Sequence, residues 1–384
     1  MNYTEQLKEL LKDITPINEN TRKYPDEETA VIDYRRNPLN SSLFSYCFKN
    51  ILGFDVRYRI CEKVNYVIEF DYKGTYGYAA HQKLSFDVKV HHDYEQEILA
   101  LFGEVRKVLS EYFLECGKEA LADNKFTMEN ESYIYREKLD FYSERIEELN
   151  REAEALDEEQ TRQVREAVAA NGDWASVFNR FQRLKRKKRL ESLYSRETYI
   201  DVWFSYLEHI LTLLCPFTAG FDKTKSYSTH YIHNARWTWD KKLAAAACGN
   251  EELLGYIEPL REIKEVYRNR SAHGMFSREL KVFAQIDGFG RYPMYLGKNY
   301  LKGLEDDVEL SLDYEKYMEI KRLFDGLTDK LRQVYPVPTA YIDAGVAIPV
   351  DVTPLMEKVS TKEEAECFAR KWLYDMDNRL NMDW

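Results

Sequence analysis

Two stretches near the start of the chain alternate apolar and polar residues with the period of a β-strand. They are VNYVIEFDY, from Val64 to Tyr72, and LSFDVKV, from Leu84 to Val90, with the turn sequence KGTYGY after the first. Apolar residues then recur at helical spacing from Tyr94 to Leu109, which indicates an amphipathic helix packed on the sheet. The pattern predicts a mixed α/β domain over residues 1–125.

A second pattern, rich in charge, follows in residues 126–196. The stretch from Glu131 to Val168 consists largely of good helix formers and contains no proline or glycine. The sequence NGDW interrupts it, and Asp173 is suited to cap the next helix, which carries RFQRLKRKKRL. We therefore predict a helical hairpin with one acidic and one basic arm.

From residue 197 the helical pattern becomes apolar and rich in tyrosine. YIDVWFSYLEHILTLLCPF predicts a buried helix that stops near Pro216, and a further helix has Pro259 in its first turn. A β-hairpin is predicted at KVFAQIDGFGRYPMYLGKNYL, before a closing amphipathic helix. The predicted fold class is α+β, with an all-α bundle over residues 197–335 that carries the β-hairpin as an insertion, and a helical tail over residues 336–384.

Composition narrows the class of protein. The formal net charge of −11 argues against a nonspecific nucleic-acid coat, because such proteins are basic overall. Six scattered cysteines form no C-x-x-C pair, and the charged N-terminus MNYTEQLKELLKDI lacks the apolar core of a signal peptide. No run is long and apolar enough to span a membrane. We expect a reduced, soluble, cytoplasmic protein that does not bind membranes.

The stretch YRNRSAHG gathers polar groups at the predicted end of the helix that contains Pro259. Gly274 suits the C′ position, and Asn269 and His273 are four residues apart, so they share one helix face. The side chain of Arg268 can reach the same edge. Among the seven histidines of the chain, His273 alone has an arginine five residues before it. A cation here is also favoured by the helix dipole alone, so a purely structural helix end is the competing interpretation.

This stretch resembles the R-N-x-x-x-H motif of HEPN-domain ribonucleases, with Arg268, Asn269 and His273 at the motif positions and Arg270 inside it. The resemblance covers about a third of the chain, and it implies an all-α bundle; the β-hairpin departs from a minimal bundle. One toxin branch of the family has a tyrosine two residues after the histidine, where this chain has Met275. That branch, which pairs with a nucleotidyltransferase antitoxin, is not expected.

The resemblance implies a metal-independent endoribonuclease without cofactors that leaves a 2′,3′-cyclic phosphate and a 5′-OH. His273 is the expected general acid–base, Arg268 the phosphate ligand and Asn269 an orienting group. Because the family usually pairs two HEPN domains, a homodimer is implied. The same resemblance implies a toxin or anti-phage role, with an antitoxin, a trigger or a regulatory protein as a further partner besides RNA. The alternative is a noncatalytic HEPN adaptor that binds RNA or protein.

Two weaker signals each have two interpretations. The basic run is expected either to hold an RNA backbone or to form a solvated helix face paired with the acidic arm. Its residues are Arg183, Lys185, Arg186, Lys187, Lys188 and Arg189. Glu208, beside His209 on the apolar helix, is expected either to support Arg268 or to be a satisfied polar group at the bundle edge.

Two sets of residues are candidate metal ligands. His91, His92 and Asp93 are clustered, and His230 and His233 have the spacing of two ligands. Neither set has a recognisable companion ligand, so we predict no metal.

Overall fold

The computed structural model describes residues 2–61, 63–268, 279–297, 301–302 and 312–381, and it shows an α+β protein. The chain forms two compact units. The first unit comprises Met1–Asp123 and Arg370–Trp384, and the second comprises Asn124–Ala369. No helix within the described ranges has the length and apolar character needed to cross a lipid bilayer.

Among its described residues, the first unit contains three complete helices, the C-terminal part of a helix that begins in the second unit, and an antiparallel sheet of six strands. The helices are α1 (Tyr3–Leu10), α2 (Ser41–Tyr46) and α3 (Glu95–Ala122). The strands are β1 (Ile14–Thr15), β2 (Thr29–Ile32), β3 (Arg57–Cys61), β4 (Val64–Tyr72), β5 (Thr75–Gln82) and β6 (Phe86–His91), in the order β1-β4-β5-β6-β2, with β3 also paired to β4. The alternating stretches correctly predicted β4 and β6, and the helical spacing correctly predicted α3.

Aromatic side chains fill the core of the first unit. Phe44 of α2 lies fully buried, with its ring 4.1 Å from that of Phe48 and 5.6 Å from that of Phe102 on α3. On the sheet, Phe70 pairs with Gly77 across β4 and β5. A Cβ at Gly77 would lie 2.6 Å from the Phe70 ring, so glycine is required there for the ring to cover the sheet.

The second unit is built on a long helical hairpin, α4 (Ser132–Ala169) and α5 (Trp174–Leu214). Asp173 caps α5 by accepting a hydrogen bond from the backbone N–H of Ser176 at 3.0 Å, as the sequence predicted. The predicted boundary between residues 196 and 197 lies inside α5. The backbone is continuous there, and α4 contacts both halves of α5, at Lys185 and at His209. What changes is that the second half of α5 also packs against other helices.

Shorter helices follow α5 along the chain. They are α6 (Trp239–Ala247), α7 (Glu251–Leu254), α8 (Ile257–Ile263), α9 (Tyr314–Val334), α10 (Pro336–Asp343) and α11 (Thr353–Met356), and α12 (Lys362–Asn381) runs on into the residues of the first unit. Trp203 stacks on Phe324 of α9 with ring centres 3.6 Å apart, whereas Phe204 faces Trp239 of α6. Two adjacent residues of α5 therefore pack against two different helices, α9 and α6.

Two small antiparallel sheets complete the second unit. The predicted hairpin is present as β8 (Glu279–Ile286) and β9 (Gly290–Gly297), with β10 (Leu301–Lys302) paired to β9. A two-stranded sheet joins β7 (Thr127–Met128) to β11 (Ile348–Pro349). The predicted closing amphipathic helix is confirmed as α9, and α10, α11 and α12 lie in the predicted helical tail.

Candidate functional site

The helix that precedes the R-N-x-x-x-H motif changes form just before it. α8 ends at Ile263, and the chain continues as a π-helical turn over Lys264–Arg268. Single π-turns inside helices are often found at functional sites, because they re-aim the side chains that follow. Arg268 is the last residue of this turn. Asn269, Arg270 and His273 lie outside the described residues.

Arg268 faces the second half of α5. Its guanidinium lies 5.6 Å from the ring centre of Phe204. Its Nε is 3.9 Å from Asp201 Oδ1, and its Nη1 is 3.9 Å from Glu208 Oε1. These distances exceed a hydrogen bond, so these two contacts are electrostatic. The side chain of Arg268 is 26% exposed.

Lys264 adds a second cation one turn before Arg268. Its Nζ lies 3.9 Å from the same Glu208 oxygen, and 5.8 and 5.6 Å from the ring centres of Phe204 and Trp239. Burial lowers the pKa of Lys264, the positive charge of Arg268 lowers it further, and the carboxylate of Glu208 opposes the shift. The two cations share the carboxylate of Glu208, and Arg268 also lies beside Asp201, so positive and negative charges alternate at this place.

The face of α5 that meets the π-turn follows helical spacing. Asp201, Phe204 and Glu208 are three and four residues apart, so they form one stripe. Glu208 therefore lies beside Arg268, one of the two arrangements expected for it. Asp201 and Lys264 were missed by sequence reasoning. Helical spacing was the signal that could have identified them. Asp201 lies two turns before Glu208 on one helix face, and Lys264 lies one turn before Arg268.

His209 points away from this stripe and has a structural contact. Its Nε2 accepts a hydrogen bond from the backbone N–H of Glu131 at 3.1 Å, next to the start of α4. Burial lowers the pKa of His209, and the negative charge of Glu131 opposes this in part. The neutral ring is the form that can accept this bond, so His209 holds the beginning of α4 against α5.

Acidic pH is expected to weaken this contact. The pKa of His209 lies below its ordinary value of 6.5. The stability that the neutral ring provides to the folded protein is therefore fully present above pH 6.5, and it is lost as the pH falls through the lowered pKa. His209→Gln keeps an acceptor that does not titrate. We expect its melting temperature to fall less than that of the parent between about pH 7.5 and about pH 5.5. His233→Gln, at an exposed histidine, is the control and should follow the parent. If the melting temperatures of the parent and of His209→Gln fall equally with pH, the proposed role of the neutral His209 ring is contradicted.

The basic run divides into two groups. Lys185 is buried, and its Nζ contacts Asp157 and Gln160 on α4; Lys188 Nζ lies 2.6 Å from Glu152 Oε2. These two lysines hold the arms of the hairpin together, as the structural interpretation expected. The other four residues are exposed: Arg183, Arg186, Lys187 and Arg189. Their exposure fits a solvated helix face, and binding of an RNA backbone by these four residues stays a prediction.

One group of candidate metal ligands is found among the described residues, in the first unit. The ligand atoms of His91, His92 and Asp93 lie within 4.8 Å of one another. However, His91 Nδ1 accepts a hydrogen bond from the backbone N–H of Asp93 at 3.4 Å, and His92 Nδ1 lies 3.0 Å from the carbonyl oxygen of Glu28. These contacts occupy one nitrogen of each ring, so the group resembles a turn stabilised by its own side chains more than a preformed metal site.

Comparisons with protein-family models, with curated proteins and with solved structures found no match for this chain. The assignment of the R-N-x-x-x-H stretch therefore stays a prediction from its residues. The geometry adds a polar centre of Arg268, Lys264, Asp201 and Glu208 at the start of that stretch.

Proposed function

We propose that the chain is a metal-independent endoribonuclease of HEPN type. The observation that supports this most is the composition of the helix end: an R-N-x-x-x-H stretch begins at an arginine that is partly exposed and lies over an acidic stripe. Arginine and histidine are residue types suited to the cleavage of RNA without a metal. One binds phosphate oxygens, and the other moves protons near neutral pH.

In the proposed reaction His273 removes the proton of a ribose 2′-OH, and the 2′ oxygen attacks the adjacent phosphorus. The bond to the 5′ oxygen breaks, and that oxygen takes a proton from water to become a 5′-OH, which leaves a 2′,3′-cyclic phosphate on the other product, while His273 returns its proton to the solvent. Arg268 binds the phosphate oxygens as negative charge builds on them, and Asn269 orients the histidine or a phosphate oxygen. Glu208 acts as a positioning residue that holds Arg268, and Lys264 adds positive charge nearby.

We further propose that two copies of the chain pair their motifs in a homodimer and that the enzyme serves as a toxin or an anti-phage effector. An antitoxin, a trigger or a regulatory protein would then control its activity. These parts of the proposal rest on the HEPN resemblance. Light scattering of the purified protein should give the mass of a dimer, and a monomer at the concentrations at which RNA is cut would contradict the pairing.

The proposal is tested by incubating the purified protein with total RNA and with tRNA, in EDTA and in parallel with added Mg²⁺. We expect equal cleavage in both conditions, because no step uses a metal. Cleavage that needs Mg²⁺ would refute the mechanism. If nothing is cut, the assay is repeated with extract of infected cells as a source of the trigger, and continued inactivity there would favour the adaptor.

The exposed group of the basic run is expected to contribute to RNA affinity. Replacing Arg183, Arg186, Lys187 and Arg189 together by alanine should weaken binding and reduce the slope of log K against log salt by about 0.7 for each phosphate that the protein no longer neutralises. The matched control removes four exposed lysines of the first unit, namely Lys8, Lys12, Lys107 and Lys118. Equal losses in the two variants would show that only net charge matters.

The second candidate function is a noncatalytic HEPN adaptor. One observation favours it: Arg268 lies within 3.9 Å of two carboxylates, and such neighbours reduce the attraction of the arginine for phosphate. An adaptor would bind RNA or a protein with the same affinity after His273→Ala. RNA cleavage therefore distinguishes the enzyme from the adaptor, whereas binding affinity does not.

A further inference from the structure

The first unit contains an open cavity of about 400 Å³ between a helix and the sheet. One wall is α2 with the π-helical turn that follows it, Cys47–Ile51, and the other is formed by β3, β4 and β5. All ten lining side chains carry a hydroxyl, amide, amine or imidazole group. A cavity of this volume suits a small molecule, and its polar lining is unlike the mainly apolar lining of most pockets.

An irregularity in the sheet places two adjacent residues in this cavity. Val64 pairs with Gln82, but Tyr66 pairs with His81, so Asn65 is an extra residue of β4 and forms a β-bulge. The pairing of β3 with β4 also shifts beyond Tyr58. In a regular strand Asn65 and Tyr66 would point to opposite faces, whereas both line the cavity here. Bulges that re-aim a side chain in this way are common beside binding sites.

Hydrogen bonds hold the lining in place. The hydroxyl of Tyr66, a residue that is 2% exposed, donates to the carbonyl oxygen of Ser41 at 2.5 Å. Ser45 Oγ and the Tyr58 hydroxyl are 3.2 Å apart, which links the helix to β3. Lys49 Nζ lies 4.8 Å from the centre of the Tyr58 ring, so a cation–π contact orients the lysine at the cavity. Preordered groups of this kind lower the entropic cost of binding.

The described lining carries many hydrogen-bond donors and one positive charge, and it carries no negative charge. Lys49 is its charged residue, and no aspartate or glutamate is among its described members. Burial lowers the pKa of His81, so its ring is neutral at pH 7. Asn65 Nδ2 lies 3.2 Å from His81 Nδ1; the amide nitrogen donates, which leaves the ring proton on Nε2. Serine hydroxyls, an imidazole N–H and an ammonium group together suit an anion with several acceptor oxygens.

We propose that this cavity, formed by Lys49, Ser45, Asn65 and His81 between α2 and the bulged strand β4, is a binding site for a small phosphorylated molecule. The site lies entirely within the first unit. It does not depend on the proposed ribonuclease activity, and either proposal can fail alone.

The test measures binding by calorimetry at constant ionic strength with pyrophosphate, with adenosine 5′-monophosphate and with adenosine. We expect the two phosphorylated probes to bind and adenosine not to bind. Lys49→Met should weaken binding of both by about 10- to 100-fold, the range expected for a missing hydrogen bond to a charged group. Asn65→Ala should also weaken it. Lys107→Met is the matched control on α3, since Lys107 is exposed and pairs with Glu104, and it should bind like the parent.

Three results would overturn the proposal. The first is that neither phosphorylated probe binds at millimolar concentration. The second is that Lys49→Met and the parent bind them equally while both have the same melting temperature. The third is that a short RNA binds with dependence on Lys49 but the small probes do not, because the cavity would then be part of an RNA surface. If Asn65→Ala unfolds, Lys49→Met alone decides, since the lysine is exposed and its replacement leaves the bulge intact.

Discussion

Replacing Arg268 by alanine is expected to lower the rate of RNA cleavage about 10²–10³-fold, the usual cost of removing one group that stabilises charge in a transition state. His273→Ala is expected to lower it by about 10²–10⁴-fold, because a positioned general base is removed. RNA affinity should change much less. The measurement is the initial rate on tRNA in EDTA at saturating enzyme, beside a binding assay.

Two controls separate catalysis from damage to the fold. Arg261 lies two turns earlier on α8 and pairs with Asp240 at 3.0 Å, so Arg261→Ala removes the same charge from the same helix and should keep full activity. Arg268→Lys keeps the charge but loses the planar fork, and it should stay strongly impaired. If Arg261→Ala and Arg268→Ala lose activity equally, the role of Arg268 is only structural.

Trp203→Ala is expected to lower the free energy of unfolding of the second unit by about 3–5 kcal/mol, as for other large-to-small changes in a core. Trp203 is 3% exposed and stacks on the fully buried Phe324, so its removal leaves a cavity between α5 and α9. Urea denaturation followed by the helical circular dichroism signal measures the change. Because α5 also carries Asp201 and Glu208, cleavage at elevated temperature should be lost together with stability.

Tyr194→Ala provides the matched control for this prediction. Tyr194 is also an aromatic residue of α5, but it is 58% exposed. Its removal should change the free energy of unfolding by no more than about 0.5 kcal/mol. A loss below about 1 kcal/mol for Trp203→Ala would mean that the bundle does not depend on the packing between α5 and α9.

Local pattern predicted the elements well where one period extended over many residues. The alternation in VNYVIEFDY gives β4, and the long charged run gives α4. The sequence KGTYGY predicted a turn, but its last four residues begin β5, so this strand was missed. The short edge strands β2 and β3 were not predicted, because four or five residues carry too little pattern and their pairing depends on neighbours distant in sequence. The change from charged to apolar residues near position 197 predicts a boundary between elements. In the structure one helix continues through this position, because backbone hydrogen bonds continue regardless of what the side chains contact, and beyond it α5 contacts further helices besides α4.

The candidate site was predicted in part. The sequence identified Arg268 and Glu208 but not Asp201 or Lys264, because a tertiary contact between α5 and the π-turn joins residues more than fifty positions apart. The cavity at Asn65 was not predicted for a different reason. The alternation in β4 puts Asn65 on the face opposite Tyr66, and only the bulge brings them together. A bulge depends on how the partner strands pair, which a single strand's pattern does not encode.

The most direct test of the central claim is to cut one end-labelled RNA in EDTA with the parent and with His273→Ala of equal melting temperature, and to determine the product ends. We predict a 2′,3′-cyclic phosphate and a 5′-OH from the parent, and no product above background from His273→Ala. Products with a 5′-phosphate, or equal cleavage by both proteins, would contradict the proposed mechanism.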